Sequence, residues 1–177
     1  MRILMVCHGN ICRSTMAEYV MRHLVAQHGL SDAISVDSAA ATSDAVGWGV
    51  HRGTQEVLRR HGVPCGNHRS WQMTRADYGR YDLICGMDEE NLWNMRRLFH
   101  GDVDGKLHNL LEYAGRPHDA VADPWYTRDF ERTWEDVEEA CRGLLEKLTG
   151  TVLLDFSGCA DIPDLYRELR DKMGWES

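Results

Sequence analysis

The stretch Arg2-Ile3-Leu4-Met5-Val6-Cys7-His8-Gly9-Asn10-Ile11-Cys12-Arg13-Ser14 decides the fold class of this chain. Its first part, residues 2–6, is a short apolar run that predicts a buried strand. From Ser14 to residue 27, apolar residues recur at helical spacing. A strand that leads through a short loop directly into a helix is typical of α/β domains with a parallel sheet.

Later segments continue this alternation of short apolar runs and amphipathic stretches. We predict strands at residues 33–37, 81–85 and 106–110, and helices at residues 54–60, 88–99 and 133–148. One domain is expected over residues 1–149. Residues 150–177 are expected to form a C-terminal extension that packs on this domain or continues it, with a strand at 151–156 and a helix at 164–172.

Length and composition exclude several classes of protein. The 177 residues suit one domain, and 43% hydrophobic with 27% charged residues is unlike a disordered or membrane chain. A formal net charge of −8 argues against binding along a nucleic-acid backbone. No apolar run reaches the roughly 18 residues of a membrane span, and the six cysteines form no C-x-x-C pair. We therefore expect an acidic, soluble, cytoplasmic domain with reduced thiols and no nucleic-acid or membrane partner.

The loop at residues 7–14 carries the candidate chemistry. It leaves the carboxyl end of a predicted strand, which is where parallel sheets bind ligands. Backbone N–H groups of a loop that enters a helix N-terminus can hold phosphoryl oxygens, and their field favours the thiolate form of Cys7. Arg13 offers a bidentate fork to two oxygens, and Ser14 is placed to donate its hydroxyl to the sulfur. Gly9 and Asn10 tolerate the positive φ that a tight cradle requires.

Residues 7–14 also match the signature C-x-G-N-x-C-R-S at every fixed position. On these residues the chain resembles the low-molecular-weight protein tyrosine phosphatases, and the resemblance extends through about residue 149. It implies a flavodoxin-like three-layer fold, in which a four-stranded parallel sheet has flanking helices. It also implies a phosphatase without metal or other cofactor, which acts on phosphotyrosine-containing proteins or peptides through a phosphocysteine on Cys7. Phosphate and vanadate-like anions are the expected inhibitors.

The general acid of this family lies in a D-P-[YFW]-Y segment, which Asp123-Pro124-Trp125-Tyr126 matches. The resemblance makes Asp123 the proton donor to the leaving oxygen and then the base for water. Trp125 and Tyr126 would wall a slot for an aromatic leaving group. An Asp-Pro pair alone more often simply begins a helix, so the catalytic interpretation depends on the cysteine loop.

Two supporting residues follow from the resemblance. Ser38 matches a serine of the network that braces the loop, and His68 matches a histidine that hydrogen-bonds toward Asn10. A lone histidine is more often a surface residue or a satisfied core residue, so His68 depends on the resemblance. The other eight histidines show no metal-like spacing, and all of them except His8 in the loop are expected to have no role. Residues 86–88 match a family strand end and are expected to be structural.

The pocket rim departs from the family pattern. Members commonly carry an aromatic residue shortly after D-S-A-G-T, whereas residues 37–44 here read Asp-Ser-Ala-Ala-Ala-Thr-Ser-Asp with no aromatic residue. Trp48 follows four residues later and is a candidate substitute. We therefore predict a substrate- and phosphate-binding set made of His8, Gly9, Asn10, Ile11, Cys12, Trp48, Trp125 and Tyr126. By resemblance, Cys12 also forms a disulfide that protects Cys7 from irreversible oxidation.

Three other functions use related loops. Protein arginine phosphatases resemble this family but carry Thr where this chain has Ile11, and an aliphatic branch suits an aromatic ring better than a guanidinium group. Thioredoxin-coupled arsenate reductases need two further cysteines about seven residues apart, but only Cys85 lies near that region. Cysteine-phosphorylated sugar-transport subunits lack the loop arginine, so Arg13 together with Asp123 favours turnover. We expect a tyrosine phosphatase, with an arginine phosphatase as the alternative and an arsenate reductase less favoured.

Overall fold

Four parallel strands form the sheet of the computed structural model, which describes residues 1–150. They are β1 (Arg2–Cys7), β2 (Ser35–Ala40), β3 (Leu83–Gly86) and β4 (Leu107–Asn109), in the order β2-β1-β3-β4. Strand β1 pairs with β2 on one side and β3 on the other, so the first strand of the chain lies at the centre. The predicted four-stranded parallel sheet is confirmed.

Helices flank this sheet and short helical turns connect the longer segments. They are α1 (Arg13–Gln27), α2 (Arg52–Arg60), α3 (Asp77–Arg80), α4 (Glu89–Phe99), α5 (Pro124–Thr127) and α6 (Phe130–Thr149), with a 3₁₀ turn at Leu110–Ala114. No helix within residues 1–150 is long and apolar enough to cross a membrane. Except for Gly150, the predicted C-terminal extension (residues 150–177) lies outside the described residues.

Side chains of β1 alternate between two separate cores, as the pleat of a strand requires. Ile3 and Met5 pack in one core with the apolar faces of α1, α2 and α6. Leu4 and Val6 pack in the other core with the apolar face of α4. Because all four side chains are fully buried, both faces of the sheet need a helical layer. This is the three-layer arrangement expected from the sequence.

Several element bounds differ from the sequence predictions. Strand β2 was predicted at 33–37 but spans Ser35–Ala40, because parallel pairing with β1 extends through Cys7 and Ala40. Its final residues include two alanines, which have little strand preference of their own. Helix α6 begins at Phe130 because Asp129 accepts a hydrogen bond from Arg132 N at 2.9 Å. The turn α5 was not predicted.

The carboxyl ends of β1, β2 and β3 lie at one edge of the sheet. In the registers of the two ladders, Cys7 pairs with Ala40 and Val6 pairs with Gly86. The three loops that follow these residues therefore start beside one another. This edge is where parallel sheets bind ligands.

Candidate active site

The loop between β1 and α1 curls through one left-handed residue. Asn10 has φ of 55°, as predicted, but Gly9 does not adopt a positive φ. A Cβ at Gly9 would lie 3.4 Å from the Cβ of Ala45, an ordinary contact. Of the two residues that tolerate positive φ, only Asn10 uses it to make this turn.

Cys7 lies at the end of β1 with its thiol at the base of the loop. Its Sγ is 3.0 Å from the hydroxyl of Ser14, in the first turn of α1. The same Ser14 Oγ accepts a hydrogen bond from Asn10 Nδ2 at 3.0 Å. Since that oxygen already accepts from an amide, its own proton is free to point at the Cys7 sulfur. The Ser14 hydroxyl can therefore stabilise a thiolate at this position.

A buried chain of hydrogen bonds braces the loop from behind. Asn10 Nδ2 also donates to Ser38 Oγ at 2.8 Å, and Ser38 Oγ donates to a carboxylate oxygen of Glu18 at 2.5 Å. His68 Nε2 lies 2.8 Å from Asn10 Oδ1, so that nitrogen carries the proton. Burial raises the pKa of Glu18 and lowers the pKa of His68. Ser38 and His68 therefore lie where the resemblance implies, whereas Glu18 was missed.

Arg13 lies between two carboxylates. Its Nη1 donates to Asp88 Oδ2 at 2.5 Å and its Nη2 lies 2.8 Å from Asp123 Oδ2. Burial alone would lower the pKa of Arg13, but the charges of Cys7, Asp123 and Asp88 raise it overall. The guanidinium group therefore stays charged while almost completely buried.

Asp88 was expected to be structural, but it contacts Arg13, the residue predicted to bind phosphate. Its other oxygen accepts from Asn91 N at 2.7 Å and so caps α4. The signal that could have found it is topological. Asp88 follows β3, the strand beside β1, and polar residues after neighbouring parallel strands meet at one edge.

Asp123 contacts Nη2 of Arg13, whereas Asp88 contacts Nη1. One carboxylate oxygen accepts from Trp125 N at 3.0 Å and caps α5, whose first residue is Pro124. The other oxygen lies against Arg13. The Asp-Pro segment thus both begins a helix, as the simpler interpretation held, and directs a carboxylate at the cysteine loop.

One cavity of about 280 Å³ is lined by most of the residues that the sequence predicts to be catalytic or substrate-binding. Asn10, predicted to bind phosphate, is an exception, because its side chain is fully buried and faces the bracing network. Within residues 1–150, no three His, Cys, Asp or Glu side chains are grouped so as to hold a metal ion. The cavity is lined by Cys7, His8, Gly9, Ile11, Cys12, Arg13, Asp44, Ala45, Trp48, Asp123, Trp125 and Tyr126.

The rim of this cavity is exposed and aromatic. Trp48 lines it together with Trp125, so the unusual aromatic residue does face the pocket. Asp44 was not among the predicted binding residues, although it lies in the region around Trp48 that the sequence marks as unusual. Asp44 accepts a hydrogen bond from Thr42 Oγ1 at 3.0 Å and lies 2.8 Å from His8 Nε2. The contact with His8 holds the pKa of Asp44 below its ordinary value.

Cys12 and Cys7 are both buried, and both are free thiols. Burial and the neighbouring charges of Cys7 and Asp123 raise the pKa of Cys12 to about 12. Cys12 is therefore protonated at neutral pH and is unsuited to be the nucleophile itself. The disulfide between Cys7 and Cys12 stays a prediction.

Comparison with known proteins agrees with this geometry. The chain is 37% identical over 147 residues to the low molecular weight protein-tyrosine-phosphatase YfkJ of Bacillus subtilis, covering 82% of this chain and 94% of the relative. The crystal structure of YfkJ superposes with a TM-score of 0.81 at 36% identity, covering 85% of this chain and 95% of that one. A Drosophila arginine phosphatase, DARP, superposes with a TM-score of 0.77 at 31% identity, covering 84% and 97%.

A family model matches nearly all of the described residues. It is that of the low molecular weight phosphotyrosine protein phosphatases, and it matches residues 2–152. The chain belongs to the low molecular weight phosphotyrosine protein phosphatase family.

Proposed function

We propose that this protein hydrolyses phosphotyrosine in proteins or peptides through a phosphocysteine on Cys7, without a metal ion or other cofactor. The observation that carries the proposal is that Cys7, Arg13 and Asp123 line one cavity whose rim is aromatic. Family membership supports the same activity. Phosphate and vanadate-like anions are proposed as inhibitors, and the cytoplasm as the location.

Substrate binding exchanges one partner of Arg13 for another. The Asp123 carboxylate occupies one side of the guanidinium fork in the structure. A phosphoryl group that binds to this fork and to the backbone N–H groups of the loop displaces Asp123 from it. Asp88 keeps its hydrogen bond to Nη1 and so holds the fork in place. The displaced carboxyl group is then free to act on the leaving oxygen.

In the first chemical step, the Cys7 thiolate forms an S–P bond as the bond from phosphorus to the tyrosyl oxygen breaks. Asp123 takes up a proton from solvent once it has left Arg13, transfers this proton to that oxygen, and neutral tyrosine leaves. Arg13 and the loop N–H groups stabilise the charge on the equatorial oxygens.

In the second step, Asp123 accepts a proton from water as the water attacks phosphorus and the S–P bond breaks. The sulfur leaves as a thiolate, which the hydroxyl of Ser14 stabilises at 3.0 Å. Inorganic phosphate is the product.

The test is phosphate release from a phosphotyrosine peptide in EDTA, with a phosphoarginine peptide in parallel and Cys7→Ser as control. We expect release from phosphotyrosine that the control lacks. Release from phosphoarginine alone would keep the mechanism and overturn the substrate. Release from neither peptide would contradict the proposal.

The arginine phosphatase alternative has one observation in its favour, the superposition on DARP. Against it, Ile11 lines the cavity and offers no hydroxyl to a guanidinium group. The arsenate reductase alternative is weaker, because Cys85 is fully buried in the core and burial raises its pKa far above the ordinary value. The phosphoarginine arm of the test decides between the first two functions.

A further inference from the structure

His51 lies between the cysteine loop and the segment that carries the general acid. Its backbone N donates to the carbonyl of Ile11 at 2.8 Å, which joins it to the cysteine loop. Its ring Nδ1 accepts from Gly53 N at 3.0 Å and caps the N-terminus of α2. Sequence reasoning assigned this histidine no role.

The ring of His51 contacts α5, the turn that follows Asp123, and also the first residue of α6. It stacks on Phe130, the first residue of α6, with centroids 4.9 Å apart and planes 13° apart. It also meets the ring of Trp125 edge-on, with centroids 6.3 Å apart and planes 78° apart. Trp125 N in turn donates to the carboxylate of Asp123. Trp125 therefore connects the ring of His51 to Asp123, the proposed proton donor.

Gly53 provides a second, independent observation, because it shows how closely the start of α2 approaches the ring of Phe130. A Cβ at Gly53 would lie 2.4 to 2.6 Å from three ring carbons of Phe130, which is closer than real contacts allow. Gly53 does not have a positive φ, so backbone conformation does not explain the glycine. The absent side chain instead lets the start of α6 approach the start of α2.

We propose that His51 is a positioning residue for the general acid. Its ring, stacked on Phe130 and against Trp125, holds the segment with Asp123 at the correct distance from the cysteine loop. The inference rests on the proposed function, because it assigns to His51 an effect that acts through the proton donor.

The state of the imidazole fits this role. Nδ1 accepts from Gly53 N and so carries no proton. Burial, together with the positive charge of Arg128, lowers the pKa of His51 and favours the neutral ring. Arg128 itself lies over the Trp125 ring at 5.8 Å, on the same short segment.

Leaving-group dependence separates this role from a general structural one. Phenyl phosphate has a poor leaving group that requires a proton in the transition state, whereas p-nitrophenyl phosphate has a good one that requires it far less. The ratio kcat/KM covers only the steps up to release of the leaving group, so it excludes the later hydrolysis step, which both substrates share. Misplacement of Asp123 therefore lowers kcat/KM more for the first substrate than for the second. Partial unfolding or a distorted cysteine loop slows both equally.

The principal variant is His51→Asn, which keeps a side-chain acceptor suited to an N-cap and removes the ring. We expect kcat/KM for phenyl phosphate to fall about tenfold and kcat/KM for p-nitrophenyl phosphate by less than about threefold, since proton transfer contributes typically 10²–10⁴-fold and is only partly lost. The Kd for inorganic phosphate, measured by calorimetry, should stay within about twofold. His51→Phe keeps an aromatic ring and should retain the parent's ratio of the two kcat/KM values.

Gly53→Ala provides a matched test at the other side of the contact. It should show the same selective loss, because the added methyl group displaces Phe130. Its control is Gly79→Ala in α3, where a Cβ meets nothing within 4 Å. The control should match the parent with both substrates.

Equal slowing of both substrates in His51→Asn, or no slowing of either, would overturn the inference. Weaker phosphate binding in His51→Asn would also overturn it, because the effect would then lie in the cysteine loop. A parent protein that hydrolyses neither substrate contradicts the proposed function and this inference with it. An active parent with an unselective variant contradicts the inference alone.

Discussion

The floor of the cavity and its rim are built in opposite ways. The floor comprises two residues that line the cavity, Cys7 and Arg13, together with the buried Asn10 and Ser14 that brace Cys7 from behind. These four residues are at most 5% exposed, and each side chain has a polar partner within 3.0 Å. The rim (His8, Asp44, Trp48, Trp125 and Tyr126) is open to solvent, with Trp48 55% and Tyr126 82% exposed.

This difference separates the chemistry from the choice of substrate. Buried polar groups are costly unless each is satisfied, so the network behind the floor permits one arrangement of thiol, hydroxyl and guanidinium group. Exposed aromatic side chains carry no such requirement, and a rim residue can change without loss of the floor. We therefore expect substitutions in the floor to lower kcat, and substitutions in the rim to change KM.

The largest effect is expected for Asp123→Asn, at the junction of the two regions. The amide cannot donate a carboxyl proton to the leaving oxygen, so kcat for aryl phosphates should fall roughly 10²–10⁴-fold. Stopped assays with phenyl phosphate measure this fall. Vanadate or phosphate binding should be largely unchanged, because Arg13 and the loop remain. Loss of binding would show that Asp123 has a structural role instead.

A smaller loss is expected for Asn10→Gly, which removes the brace but suits the φ of 55°. Removing one partner of a buried hydrogen bond costs about 1–3 kcal/mol, so the midpoint of urea unfolding should fall. We also expect kcat to fall about tenfold, because the Ser14 hydroxyl loses the amide that orients it. Asn10→Ala should be less stable still, because alanine pays about 1–2 kcal/mol for the left-handed conformation.

The exposed Asn67, close to His68 in the chain, supplies the control for the brace. Asn67→Ala should keep the parent's stability and kcat. If Asn10→Gly behaves like Asn67→Ala, the floor is not held by its hydrogen bonds and the comparison with the rim fails.

In the rim, Trp48→Ala should act on KM. Loss of one exposed aromatic wall is expected to raise KM for a phosphotyrosine peptide about three- to tenfold, in line with about 0.5–1.5 kcal/mol for an aromatic pair. The value of kcat should stay within about twofold, since Trp48 takes no part in the hydrogen bonds that hold the floor. Trp93→Ala, an equally exposed tryptophan on α4, should change neither constant. A fall in kcat for Trp48→Ala would contradict the expectation that the rim affects KM alone.

The smallest effect is expected for Glu18→Gln, beneath the floor. Burial raises the pKa of Glu18 above its ordinary value of 4.5, so the folded state keeps this proton at pH values where the unfolded chain loses it. The parent's free energy of unfolding therefore falls as pH rises through the folded pKa. Because Gln does not titrate, the stability of the variant relative to the parent should increase with pH, by about 1.4 kcal/mol for each pKa unit. Urea unfolding from about pH 4 to pH 7 measures this, and a constant difference would contradict it.

Sequence patterns found the floor far better than its supports. The spacing from Cys7 to Ser14 is local, so one stretch of chain carries the signature, the strand before it and the helix after it. Glu18, Asp88 and His51 carry no such local signal. Glu18 sits within a helix, Asp88 follows a different strand, and His51 precedes a helix that looked ordinary. Their roles depend on which distant segments the sheet brings together.

The sequence by itself determined the parallel α/β architecture and the nucleophile loop, because apolar periodicity and a short motif depend only on neighbours along the chain. Only the tertiary structure decided that β1 is central, that Asp88 and Asp123 share one guanidinium group, and that Asn10 faces inward. These facts depend on contacts between residues 28 to 110 positions apart along the chain. Such contacts form only where packing of both faces of the sheet holds the loops at one edge.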